Sequence, residues 1–477
     1  MALSKEKSLA TEHPEFTRMK NKYDLWEKLC LGGKEIEGKD GYLKRHSYET
    51  DKQYKIRLWL STYRNFAKPI VDVFQSSIWR KKPNRENIHA RLKDYALDVD
   101  RYGTRADEFF QKVSKKASRV GINFVLVDYT TLPKEKRERV ATVRDAKRYD
   151  LRPFFKQIPA KNLIDWCVNE NPVTGNQYLD YIVYWEDQET EAKPFQGHEY
   201  KRRYKVWTRD AWEIWEEEKT GKNSKATMVD SGKNDLGIVP LVPCYFYFDT
   251  LMTGRSAIAD VSSLCERSYR LGTCLDKSLY DTAFPLQLFT GFTSEEISKF
   301  QRSSATGLVS QDHGADSKFV EPEGRSFEAL RNAIKDDEGA IKEIALRMVK
   351  TDSKVAQSAD AKRLDNLQLD SQLGIFAFNV EACEEKCWDL AAGWLGIQQE
   401  TEDKQVEYHK QFDEQRVTAE LIKAFSELAR DEIVPKDRVV DMLIEGGFLP
   451  EGYDKVEARQ QIIDQLRTDT NFPGDGE

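Results

Sequence analysis

Carboxylates stand closest together in this sequence at Glu216-Glu217-Glu218 and at Asp336-Asp337-Glu338. Adjacent carboxylates can hold a divalent cation or share a proton. Consecutive helix positions point about 100° apart, however, so neither run converges on one atom unaided, and both are expected on solvated faces. Cys383 and Cys387 have the spacing of two ligands on one helix face but sit in an apolar stripe with no further ligand nearby, which predicts core packing. The histidines (His13, His46, His89, His198, His313, His409) never fall within ligand spacing of one another and read as surface or packing residues. No glycine-rich phosphate loop, Gly-x-Ser-x-Gly elbow, His-Glu-x-x-His motif or Cys-x-x-Cys knuckle is present. No catalytic residue, metal site or cofactor is therefore assigned, and an enzyme is not expected.

The elements that would position any site follow from periodicity. Phe16, Met19, Tyr23 and Trp26 share one helix face, closed by Gly32-Gly33. A helical stretch from Asp51 to Trp79 is expected to kink or break at Pro69. A helix over Arg105 to Arg119 stops at Gly121, ahead of an alternating strand from Ile122 to Tyr129. Lys134 to Arg152 holds eight basic and four acidic side chains, the composition of a solvated loop. From Phe154 to Phe248 the period changes to two, predicting about six antiparallel strands whose tryptophans belong to the core.

After Gly237-Ile238-Val239-Pro240 the pattern is helical again. Ile258, Val261, Cys265, Leu275 and Leu279 mark a helix from about Ala257 to Ala283, and Leu286 to Pro322 is a compact segment with strand-like pieces. A second long helix carries Phe327, Leu330, Ile334, Ile341, Ile344 and Met348. The clearest periodicity is Leu373, Phe376, Val380, Cys383, Cys387, Leu390 and Trp394, alternating three and four, which predicts a buried helix face. A strand over Val406 to Phe412 and several short helices are expected beyond it.

The chain has 477 residues, 39% hydrophobic and 32% charged, with a net charge of -7. That length exceeds a single core of roughly 250 to 300 residues, so several domains are expected. No apolar run reaches the ~18 residues of a membrane span, and the charged N-terminus is unlike a secretory signal, so folding in a cytosol is expected. The seven scattered cysteines fit reduced thiols. A protein that grips nucleic acid globally carries a basic excess, which is missing here.

An ordered set of short passages resembles the portal (head-to-tail connector) proteins of tailed bacteriophages. The set begins with Tyr42-Leu43, Tyr63-Arg64-Asn65-Phe66, Ile78-Trp79-Arg80-Lys81-Lys82-Pro83 and Asn162-Leu163-Ile164-Asp165-Trp166. It continues with Gly237-Ile238-Val239-Pro240-Leu241-Val242-Pro243, Asp260-Val261-Ser262-Ser263-Leu264, Ala283-Phe284-Pro285-Leu286, Glu321-Pro322-Glu323-Gly324 and Gly446-Gly447-Phe448-Leu449-Pro450-Glu451. The resemblance implies an α+β, mainly helical portal fold with an antiparallel β region in the wing. Its parts would be a wing over 1–256, stem helices over 257–285 and 326–349, a clip over 286–325, a channel loop with its supporting helix over 350–400, and a crown over 401–477.

The same resemblance implies a homo-oligomeric ring, usually of twelve copies, in the virion at one capsid vertex, assembled in the host cytoplasm. Its partners would be major capsid and scaffolding proteins, the terminase motor, a head-tail adaptor and double-stranded DNA in transit. Lys350, Lys354, Gln357, Ser358, Lys362 and Arg363 would line the channel, and Glu295, Glu296, Lys299 and Arg302 would meet the motor or adaptor. Another head-tail structural protein, such as an adaptor or minor head protein, and a metal-dependent nuclease are the alternatives.

Overall fold

The computed structural model describes residues 9–37, 42–131, 148–189, 197–220, 223–283, 286–295, 312, 314–320, 325–348, 359–397 and 405–410. It also describes 435–445, 453–469 and scattered positions between 423 and 449. These divide into two compact units, 1–410 and 411–477.

Helix α1 (Pro14–Leu31) begins where a proline costs no hydrogen bond, and the His13 ring accepts from the Glu15 amide. It buries Phe16, Met19, Tyr23 and Trp26 together with Leu29 and Cys30. After the short α2 (Lys34–Glu37), the stretch expected as one kinked helix is two, α3 (Asp51–Leu60) and α4 (Ala67–Ile78). The break spans 61–66, not Pro69, which lies in the first turn of α4, where its missing donor and fixed φ are tolerated. A Thr50–Gln53 capping box starts α3.

Beyond α5 (Ala90–Lys93), α6 (Ala106–Val120) ends on Gly121 at φ 99° and leads directly into β1 (Ile122–Tyr129). β1 is the central strand of an antiparallel sheet, between β2 (Pro153–Pro159) and β8 (Leu241–Tyr245). Ile122 to Val127 are buried on both faces, so the expected alternation gives way to a fully covered strand.

The remaining β region forms a second sheet, an antiparallel meander of β3 (Leu163–Glu170), β4 (Gln177–Glu189), β5 (Tyr200–Thr208), β6 (Ala211–Thr220) and β7 (Asn223–Lys233). Its tryptophans are not all core. Trp166 and Trp207 are buried, whereas Trp185, Trp212 and Trp215 are half-buried, and the Arg202 guanidinium lies 3.9 Å from the Trp185 ring centre.

A ribbon of β9 (Tyr247–Thr250) and β10 (Thr253–Arg255) precedes α7 (Ser262–Thr282). That helix starts later than expected because Ser256 to Val261 form a turn, with the Ser256 hydroxyl donating to the Arg119 carbonyl at 2.6 Å. Then come β11 (Leu286–Thr290), β12 (Asp316–Val320), α8 (Arg325–Met348) and the 36-residue α9 (Ala359–Trp394). Aromatic contacts join α9 to the rest of the core. Phe155 lies 5.0 Å from Trp388, and Phe246 lies 4.7 Å from Phe376 and 4.9 Å from Phe74. The strand expected over Val406 to Phe412 reduces, in its described part, to one bridge between Asn84 and Glu407. In the C-terminal unit, α10 (Lys436–Glu445) and α11 (Lys455–Asp469) are linked by an Arg459–Asp437 ion pair. No described helix is long and apolar enough to cross a membrane.

The α6–β1 joint depends on Gly121, where an added Cβ would collide with the Gly254 carbonyl and meet an unfavourable φ. Gly121→Ala should cost about 3 kcal/mol or more of unfolding free energy, read as a lowered urea midpoint of the full chain. An unchanged midpoint would show that the close approach can relax.

Candidate functional site: a helical hairpin and the helix behind it

The α7–α8 hairpin is antiparallel. Arg267, near the start of α7, donates to Asp337 on α8 at 2.7 Å, and β11 pairs with β12 at the far end from Leu286–Val320 to Thr290–Asp316. Asp337 is 3% exposed. Its neighbour Glu338 accepts from Arg64, 2.6 Å away, in the break between α3 and α4. The run Asp336-Asp337-Glu338 is therefore not a solvated face, because the 100° spacing turns one carboxylate inward and a second to the flank, each onto an arginine. Glu216-Glu217-Glu218 lies on strand β6, where neighbours alternate faces, and Glu216 pairs with Arg203.

The hairpin's stripe is only partly covered. Ile258 and Val261, ahead of α7, and Cys265 within it are buried. Leu275 is half-buried and Leu279 and Tyr280 are exposed, as is Leu288 on β11. On α8, Ile341 is buried, while Phe327, Leu330, Ile334 and Ile344 are half-buried.

Helix α9 is anchored on two faces. The expected stripe is buried from Leu373 through Leu390, with Trp394 half-buried and donating to the Val127 carbonyl at 2.9 Å. The hydrogen bond between Cys244 and Cys383, with burial, pushes the Cys244 thiol well up, and burial raises Cys387, so these are neutral packing thiols. Beside the stripe, Glu384 accepts from Arg85 Nε at 2.6 Å, Tyr408 Oη at 2.6 Å and Trp388 Nε1 at 3.1 Å. Glu381 accepts from the Tyr408 amide at 2.9 Å and Lys410 Nζ at 2.7 Å. Arg85 also pairs with Asp107 on α6. The two glutamates, 1% and 0% exposed, thus tie α9 to residues 85, 107 and 405–410.

The sequence reading missed this network. A signal was present: Glu385 and Trp388 occupy the positions four residues after Glu381 and Glu384, so neither glutamate has a basic partner there on its own helix.

Of the residues assigned to a channel lining, Lys350, Lys354, Gln357 and Ser358 lie outside the described residues. Lys362 and Arg363 fall in the first turns of α9, their side chains not described. The segment expected as a loop to residue 372 is helical from Ala359, in keeping with a run rich in Ala, Leu, Gln and Lys without Gly or Pro until Gly374. Glu295 is exposed just beyond β11, while Glu296, Lys299 and Arg302 lie outside the described residues. Among the histidines, His13 and His89 cap helices and His198 pairs with Glu189. Among the described residues no three His, Cys, Asp or Glu side chains gather as a metal site.

A family model described as a domain of unknown function (DUF4055) matches residues 258–395, the hairpin and most of α9. No curated protein matches the chain. Chains in solved structures of a gene transfer agent are similar to it at low identity. One, in the virion of the native particle, has 11% identity and a TM-score of 0.35, covering 82% of this chain and 91% of that one. Another, in the neck of the native particle computed with C12 symmetry, has 12% identity and a TM-score of 0.36, covering 84% and 95%. A third, in the neck of the empty particle computed with C6 symmetry, has 13% identity and a TM-score of 0.34, with the same coverage.

Removing Arg85 would leave Glu384 buried without its cation. Arg85→Met should destabilise the chain by about 3–5 kcal/mol, and adding Glu384→Leu should recover most of that loss, as measured by chemical denaturation. Simple additivity of the two substitutions would refute the coupling.

Proposed function

We propose that this chain is the portal subunit of a tailed-phage-like particle, a structural protein and not an enzyme. Copies of it would close into a ring, of twelve in the family it resembles, around a DNA channel at one capsid vertex. The observation that carries the reading is the order of the hairpin: a long helix, a distal two-stranded ribbon, a second long helix, and then a helix anchored deep in the core. The far half of that hairpin leaves Leu279, Tyr280 and Leu288 uncovered in a single copy. Apolar side chains left open at one end of a rigid arm suit subunit packing in a ring, where each copy offers different faces to its two neighbours.

On this reading α7 and α8 are the stem. The residues from 286 to 325 are the clip that meets the terminase motor and later the head-tail adaptor, and the wing and crown meet capsid and scaffolding proteins. The segment Lys350 to Leu373 faces the channel with four basic side chains (Lys350, Lys354, Lys362, Arg363) and four acidic ones (Asp352, Asp360, Asp365, Asp370). Each phosphate neutralised by a cation adds counterion-release free energy that must be undone at every step of translocation. A charge-balanced lining keeps that drag small, consistent with the absence of a basic excess over the whole chain.

Negative-stain images of the purified chain should show rings with an axial hole. A monomer without such rings, or DNA cleavage dependent on Mg²⁺ and abolished by one carboxylate substitution, would overturn the reading in favour of an adaptor-like protein or a nuclease. Within the ring, joint replacement of Lys354, Lys362 and Arg363 by Ala should impair DNA packaging or retention, and normal particles would remove these residues from the mechanism.

A further inference from the structure

Helix α8 carries two charged lines one residue out of step. Arg331, Lys335 and Lys342 form one, and Asn332, Asp336 and Glu343 the other, both with spacings of four and seven. At 100° per residue these are two separate flanks of the helix, and all six side chains are exposed. Among the described residues Arg331, Lys335, Lys342 and Asp336 have no ion-pair partner within the chain. The face between Leu330, Ile334 and Ile341 turns toward α7, so both flanks are available to other molecules.

The basic flank borders a cavity of about 520 Å³ lined by Arg64, Tyr269, Asp276, Arg331, Ile334 and Lys335, among others. Tyr269 is 3% exposed, yet its hydroxyl lacks a hydrogen-bond partner, because Ser61 beside it donates to the Leu58 carbonyl at 2.8 Å. A buried phenol without a partner is a donor waiting for an acceptor. Glu338 at the rim is engaged by Arg64. Burial pushes the Asp276 carboxyl up against the pull of Arg64, which lessens the repulsion an entering anion would meet. What the cavity offers is therefore two cations and a buried donor, the groups that receive a carboxylate.

We propose that the carboxylate comes from a second copy of this chain: Asp336 of one copy, with Glu343 along the same flank, enters the cavity beside Arg331 and Lys335 of its neighbour. The charge complementarity of the two flanks selects that occupant. A basic line and an acidic line with the same spacing on one helix match each other in a head-to-tail contact, and such a contact repeats from copy to copy until the ring closes. The inference rests on the ring reading and adds to it the residues that set the contact.

The test is a charge swap in the full chain, with assembly followed by mass photometry across a concentration series. Lys335→Glu and Asp336→Lys should each raise the half-assembly concentration about tenfold or more, since like charges then face each other across the contact. The double variant K335E/D336K should return it close to the wild-type value, and the thermal melt of unassembled chain should be the same for all four proteins. Single variants that assemble like the wild type, or a double variant no better than the worse single one, would overturn the contact while leaving the ring reading standing. A wild-type chain that never assembles would remove both.

Discussion

A carboxylate with no exposed surface must be held by cations and donors, and Glu384 is the point at which this chain meets that requirement. Leaving one buried charge uncompensated costs several kcal/mol, a large share of the 5–15 kcal/mol that holds a typical domain together. Arg85, Tyr408 and Trp388 share the task, and they come from three widely separated parts of the sequence. Glu381, one turn away, engages Tyr408 and Lys410. The apolar stripe of α9 supplies burial energy that a neighbouring register could supply almost as well, but the two glutamates can be satisfied in one register alone. The ionic face therefore selects the position of a helix that the apolar face stabilises.

From that fixed helix the rest of the 1–410 unit can be followed outward. The β2-β1-β8 sheet packs against α9 through Phe155 and Trp388, and α6 abuts β1 through the tight Gly121 joint. The hairpin is held at its base by two charge-assisted bonds, Arg267 to Asp337 and Arg64 to Glu338, the first with its carboxylate buried. Those bonds fix the relation of α7, α8 and the α3–α4 break while leaving the distal half of the hairpin with little covering it. Stability is concentrated at one end of the arm and contact surface at the other, the distribution expected of a subunit that completes its packing in an assembly.

Charge has two uses along this chain. In the interior it specifies geometry, because a buried ion pair is sensitive to ångström-scale displacement. Along the proposed channel it is balanced, and on α8 it is sorted into lines of opposite sign. A net charge of -7 conceals all three arrangements.

The sequence by itself determined the elements. The three-and-four spacing from Leu373 to Trp394, the face of α1 and the stop at Gly121 were legible because helix period and glycine conformation are local properties, decided within a turn of the chain. The general α+β character followed from the switch between periods. Only the tertiary structure decided how those elements pair: that the β region divides into two sheets, that β1 is covered on both faces, that the helix break falls ahead of Pro69, and that Asp337, Glu381 and Glu384 are buried. Each of these depends on a partner tens to hundreds of residues away, such as Arg85 for Glu384, and no local period records where such a partner will lie. A carboxylate reads as surface by its type and becomes core only when the fold brings its cation to it.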